Sequence, residues 1–144
     1  MEDNSGMPVA DDSQPVLIVE DSENSAAMLE IALSDIPGVS VRLATSAVEA
    51  WRILCGAGPA FRAIVTDLNM PRMDGFELIR RVRGDGRLCA TPIIVVSADT
   101  DPATPGRVAE MGASAFFPKP YSPAQVRKKL EQLLDGSSHD GFSQ

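Results

Sequence analysis

The sequence predicts an α/β fold, a doubly wound (βα)5 arrangement in which a five-stranded parallel sheet carries helices on both faces. Three observations carry that prediction. Short runs rich in aliphatic and β-branched residues alternate with helix-period segments. The first and fourth runs are almost wholly apolar, as strands covered on both faces must be. The connections between elements are mostly short, which suits crossovers in one parallel sheet.

Taken in order, the strands read as Val16–Val19, Val39–Leu43, Ala63–Thr66, Ile93–Val96 and Ser114–Phe117. In the first helix Met28, Ile31, Ala32 and Asp35 recur turn by turn, and Pro37-Gly38 ends it. Ser46 is placed to cap a second helix over Ala47–Cys55, with Val48, Trp51 and Leu54 on one face. A third helix, Phe76–Val82, follows Asp74-Gly75. Pro102, Pro105 and Gly106 interrupt the fourth and leave Arg107–Met111, with Gly112 as a left-handed terminator. The fifth is the best defined, because Ser122 and Gln125 form a capping box, Pro123 takes the first helical position, and Val126, Leu130, Leu133 and Leu134 make the apolar stripe.

The domain therefore spans 15–134. Residues 1–14 and 135–144 are polar and are expected to be flexible tails. A chain of 144 residues with 44% apolar content can build one core without staples, and it shows no repeat and no second domain.

Composition excludes several roles. Against 20 Asp+Glu stand 13 Lys+Arg, a net charge of −7, which disfavours direct contact with nucleic acid or an anionic membrane. Cys55 and Cys89 are too few for a disulfide framework and lie in no zinc-binding pattern, so they read as buried or free thiols in a reducing compartment. Neither a signal peptide nor an apolar run of membrane-spanning length is present, and a cytoplasmic location is the expectation.

In an open parallel sheet, ligands bind beyond the carboxyl ends of the strands. There the sequence places Glu20-Asp21, Asp67-Leu68-Asn69, Ser97-Ala98-Asp99 and Lys119-Pro120. Singly these are ordinary: a helix N-terminal charge, a turn residue, a cap hydroxyl, a surface lysine. Together they are complementary. Three converging carboxylates repel unless a cation neutralises them, and oxygen ligands without Cys or His point to Mg²⁺, with Mn²⁺ as a substitute. The Lys119 ammonium and the Ser97 hydroxyl suit phosphoryl oxygens, and Asp67, on the middle loop, is the natural nucleophile.

The stretch Asp67-Leu68-Asn69-Met70-Pro71-Arg72-Met73-Asp74-Gly75, with Glu20-Asp21, Ser97-Ala98 and Lys119-Pro120, resembles the receiver domain of two-component response regulators, the CheY-like family. The resemblance covers the whole folded part. It implies a flavodoxin-like three-layer sandwich with strand order 2-1-3-4-5. It also implies that Asp67 accepts a phosphoryl group from a sensor histidine kinase or a histidine phosphotransfer protein. Mg²⁺ would be held by Asp21, Asp67 and the Asn69 carbonyl, and by Glu20 through water. Lys119 and Ser97 would each take a phosphoryl oxygen. The Ser97 contact draws in the fourth loop, and an aromatic, here Phe116, turns from exposed to buried. A downstream protein then reads the surface of helix four, strand five and helix five, the regulator being a monomer or a weak, phosphorylation-dependent homodimer.

Asn69 and Asp99 occupy positions that tune phosphoryl lifetime in the family, and Lys119-Pro120 matches a bond that is cis there. Glu20 stands for the commoner Asp, Ser97 for the frequent Thr, and Phe116 lacks a phenolic hydroxyl. Two other readings are weaker. A Mg²⁺-dependent aspartyl-nucleophile phosphatase of the haloacid-dehalogenase-like kind carries an acid two residues after the nucleophile, where this chain has Asn69. A flavodoxin-like cofactor binder needs a phosphate loop after the first strand, where Glu20-Asp21 would repel phosphate. Trp51, Met70, Met73 and Met111 read as packing, His139 as tail, and Arg127-Lys128-Lys129 as a solvated face.

Overall fold

The structure, a computed structural model that describes residues 13–58 and 60–135, contains β1 (Gln14–Val19), α1 (Glu23–Ser34), β2 (Val39–Ala44), α2 (Ala47–Leu54), β3 (Ala63–Asp67), α3 (Gly75–Arg83), β4 (Ile93–Ser97), α4 (Thr104–Glu110), β5 (Ala115–Pro118) and α5 (Pro123–Asp135). All strand pairs are parallel and the order is β2-β1-β3-β4-β5, as the resemblance implied. Because successive strand residues face opposite sides, β1 feeds two cores. Val16 and Ile18 pack with Leu29, Leu33, Val126 and Leu130 on one face, while Leu17 and Val19 pack with Leu78, Ile79 and Val108 on the other.

Local chemistry explains the helix starts. Ser46 Oγ accepts the Glu49 N–H at 3.0 Å, Asp74 Oδ1 the Glu77 N–H at 2.9 Å, and Ser122 Oγ the Gln125 N–H at 3.3 Å. Gly38 and Gly112 terminate their segments with φ of 83° and 104°. Trp51 packs partly buried against the core with the Arg81 guanidinium 5.9 Å from its ring centroid, and Met70, Met73 and Met111 fill the same core.

Three expectations need correction. In α1 the buried residues are Ala26, Leu29 and Leu33, whereas Met28 and Ile31 are 50% and 74% exposed. Apolar residues surround most of that helix, so periodicity alone could not choose the face. Helix α4 starts at Thr104, three residues earlier than expected, because Pro105 falls in its first turn, where a missing N–H is harmless. Lys129 is buried, sharing the face of Val126, so the basic run of α5 is not uniformly solvated, and Arg127 pairs with Asp35 at 2.6 Å. Both cysteines are free thiols, the second of the two expected states, and both are exposed. At the margins, Gln14 opens β1 and Asp135 closes α5; residues 1–12 and 136–144, with His139, lie outside the described residues.

Candidate functional site

Parallel pairing brings the carboxyl ends of β1, β3, β4 and β5 to one edge, and the predicted residues meet there. Asp67, the last residue of β3, is 5% exposed. Its Oδ1 accepts the backbone N–H of Leu68 at 2.6 Å and of Asn69 at 3.1 Å, and its Oδ2 accepts from Lys119 Nζ at 2.7 Å. The same ammonium reaches Glu20 Oε1 at 3.0 Å, while Glu20 Oε2 accepts the Ser22 N–H at 3.1 Å. Lys119 thus bridges two carboxylates from strands that are neighbours in the sheet. The bond between Lys119 and Pro120 is cis, and the Lys119 N–H donates to the Ser97 carbonyl at 2.7 Å.

Burial raises the pKa of Glu20 above the ordinary carboxylate value; hydrogen bonds from Lys119 and from the Ser22 N–H oppose the rise, and the Asp67 charge adds to it. For Lys119, burial pulls the other way, but the hydrogen bonds to Asp67 and Glu20 outweigh it and hold its pKa above the usual lysine value. The site is therefore short of positive charge. A carboxylate oxygen from each of Glu20, Asp21 and Asp67 lies within 4.8 Å of the others, Asp21 being exposed. That all-oxygen set fits a hard divalent cation such as Mg²⁺ or Mn²⁺.

Ser97 is fully buried, and its Oγ accepts the Asp99 N–H at 3.0 Å. Asp99 in turn accepts the Asp101 N–H at 2.8 Å, so the loop after β4 is shaped by its own polar groups. Phe116 is 3% exposed and already packs in the core shared with α3 and α4. Asn69 is exposed, and the position two residues after Asp67 carries no acid.

Three participants were not singled out from the sequence. Gly75 lies so close to the acceptor loop that a Cβ would sit 2.3 Å from the Asp67 carbonyl oxygen and 2.7 Å from Leu68 Cα. Asp74-Gly75 marked a helix start, but only the fold reveals this approach. Arg72 has a φ of 70°, a strained value for a non-glycine residue, in the loop between β3 and α3. Tyr121, two residues after Lys119, has a pKa raised first by burial and then by the charge of Glu20. Its ring helps line a groove of about 370 Å³ with Ser25, Met28, Lys119 and Pro120, leading from α1 to the site.

Comparison with known proteins gives a consistent result. A profile described as response regulator receiver domain matches residues 16–131. Chemotaxis protein CheY1 of Helicobacter pylori is 32% identical over 119 residues, covering 83% of this chain and 95% of that protein. Chemotaxis response regulator CheY4 of Vibrio cholerae superposes with a TM-score of 0.74 at 31% identity, covering 84% of this chain and 98% of that one. The signal receiver domain of a signal transduction histidine kinase from Syntrophus aciditrophicus gives 0.76 at 31% identity, over 90% and 96% of the two chains.

Proposed function

The chain belongs to the response regulator receiver domain family of two-component signalling, and from that premise we propose that it is a phosphorylatable switch with Asp67 as its acceptor. The observation that carries the reading is the Asp67 carboxylate itself: nearly buried, gripped at one oxygen by Lys119 and at the other by two backbone N–H groups, with Glu20 and Asp21 within reach of one shared cation.

In the proposed reaction an Asp67 oxygen attacks the phosphorus of a phosphohistidine on a sensor kinase or phosphotransfer protein. The P–N bond breaks, its electron pair stays on the imidazole, and a P–O bond forms an aspartyl phosphate. Lys119 follows the oxygens that gain charge, and Ser97, whose Oγ accepts from Asp99 N–H, keeps its own proton to donate to a phosphoryl oxygen. Glu20, Asp21, Asp67 and the Asn69 carbonyl would hold Mg²⁺ or Mn²⁺, which supplies neutralisation of the phosphoryl charge. With Asn69 and Asp99 flanking the site and Asn69 in place of an acid two residues after Asp67, the phosphoryl group decays by water attack over seconds to hours, without turnover of outside substrates.

Since Phe116 is already inward, the movement left to the Ser97 contact is that of the loop after β4 and of α4. A groove of about 480 Å³ between that loop, Pro105 and Phe116 provides the space. The output surface is then α4, β5 and α5, read by another protein, in the cytoplasm, by a monomer or a weak phosphorylation-dependent homodimer. Incubation with acetyl phosphate and Mg²⁺ followed by intact mass tests the reading: one added phosphoryl group on the wild type and none on Asp67→Asn is expected. No adduct on the wild type, or an equal adduct on the variant, contradicts it.

A further inference from the structure

Nine of the ten arginines fall between Arg42 and Arg107, and no basic residue precedes Arg42. This acidic chain therefore concentrates its positive charge in its middle. Part of that charge surrounds one cavity. At the amino-terminal edge of the sheet, the edge away from Asp67, a cavity of about 480 Å³ opens between β2, the last turn of α2 and the segment before β4. Arg42, Arg52 and Arg87 line it, with Val41, Phe61 and Leu88 among its apolar walls, and no carboxylate lines it among the described residues.

The three guanidiniums arrive from three elements. Along β2, Val39, Val41 and Leu43 pack with the core beneath α1 and α5 while Ala44 packs with the other, so the alternation turns Arg42 toward α2. Arg52 stands in the last turn of α2. Arg87 is fixed at the rim by donating from Nη2 to the Leu54 carbonyl, one of the five N–H donors a guanidinium carries. The neighbouring acid does not consume the other two: Glu49 feels both Arg42 and Arg52, but accepts from the N–H and the hydroxyl of Thr45 at 2.7 and 3.1 Å. A half-apolar concavity of this size with a few convergent charged donors is the usual form of a small-molecule site, and planar guanidiniums favour carboxylate or phosphate.

We propose that this cavity binds a small organic anion with an apolar body, an aryl or acyl carboxylate or phosphate, at a site separate from the acceptor aspartate. Its existence does not depend on phosphorylation of Asp67. The test is a titration of the ¹⁵N-labelled full chain with 1-naphthoate, and with 1-naphthamide as its uncharged counterpart, followed by amide shifts. Naphthoate is expected to shift the amides of residues 40–42, 52–58 and 87–88 in a saturable manner while leaving 67–69 in place. Naphthamide, and naphthoate with the Arg42→Gln/Arg52→Gln variant, are expected to bind roughly tenfold more weakly. The variant's own spectrum shows that it is folded. Absence of saturable shifts up to millimolar naphthoate, equal binding of the two probes, unchanged affinity in the variant, or shifts centred on 67–69 would each overturn the proposal.

Discussion

The two edges of the sheet treat charge in opposite ways. At the carboxyl edge Glu20, Asp67 and Ser97 are buried and Lys119 is largely so, its ammonium hydrogen-bonded to both Glu20 and Asp67. At the amino edge Arg42, Arg52 and Arg87 are exposed and ring an open cavity. Burying two carboxylates around one ammonium does not favour folding, since desolvation of like charges outweighs their attraction to a single partner. The carboxyl edge is thus held in a tense arrangement that a bound cation would relieve. The amino edge is relaxed, and its charges can be altered without touching the core.

The largest expected effect probes how tightly the tense edge is built. Gly75→Ala drives a Cβ into the backbone of Asp67 and Leu68, which cannot yield as a flexible side chain would. A loss of about 4 kcal/mol in urea unfolding is expected, with distorted metal binding. A loss under about 1 kcal/mol would mean that the loop relaxes freely. Next, Lys119→Met removes the only cation that Glu20 and Asp67 share among the described residues. It should cost about 3 kcal/mol in EDTA and less in Mg²⁺, because the metal takes over as counterion. Equal losses in both buffers would break that link.

Glu20→Gln should act in the other direction. The folded-state pKa of Glu20 is raised, so the native chain holds a proton that the unfolded chain releases. The stability this contributes is fully present below the unfolded value and is lost as pH rises through the raised folded one. As pH rises from the unfolded value through the raised folded one, the wild type in EDTA should therefore lose stability that Glu20→Gln keeps, leaving the variant the more stable of the two at neutral pH. In Mg²⁺ the order should reverse, since the variant loses a metal ligand. A variant less stable than the wild type in EDTA at neutral pH would contradict the sign. Smallest of all, Arg42→Gln and Arg52→Gln should each move the unfolding midpoint by less than about 0.5 kcal/mol.

The same contrast governs how much was legible in the sequence. That Asp67, Lys119, Ser97 and the Glu20-Asp21 pair would meet at one edge could be read because parallel βα units force strand ends together. The order of strands followed from the resemblance. What escaped was whatever depends on the third dimension within one element. Helix α1 offered two apolar stripes and the buried one could not be chosen, because Leu29 and Leu33 are no more periodic than Met28 and Ile31. Lys129 looked solvated because a long aliphatic stem is invisible in a charge count. Gly75 looked like a helix start, and its approach to the Asp67 carbonyl depends on how α3 docks. Phe116 was expected to turn inward only on activation, yet it is inward already, packed in the core shared with α3 and α4.

The central claim is that chemistry is confined to the tense edge, at one oxygen-rich residue. An aspartyl phosphate is an acyl phosphate, and borohydride reduces it to homoserine, which peptide mass analysis locates by position. After treatment with acetyl phosphate and Mg²⁺, reduction is predicted to convert residue 67 to homoserine and to leave Glu20, Asp21, Asp74 and Asp99 unchanged. Conversion at any of those acids in place of Asp67, or no conversion in a chain that binds Mg²⁺, would contradict it.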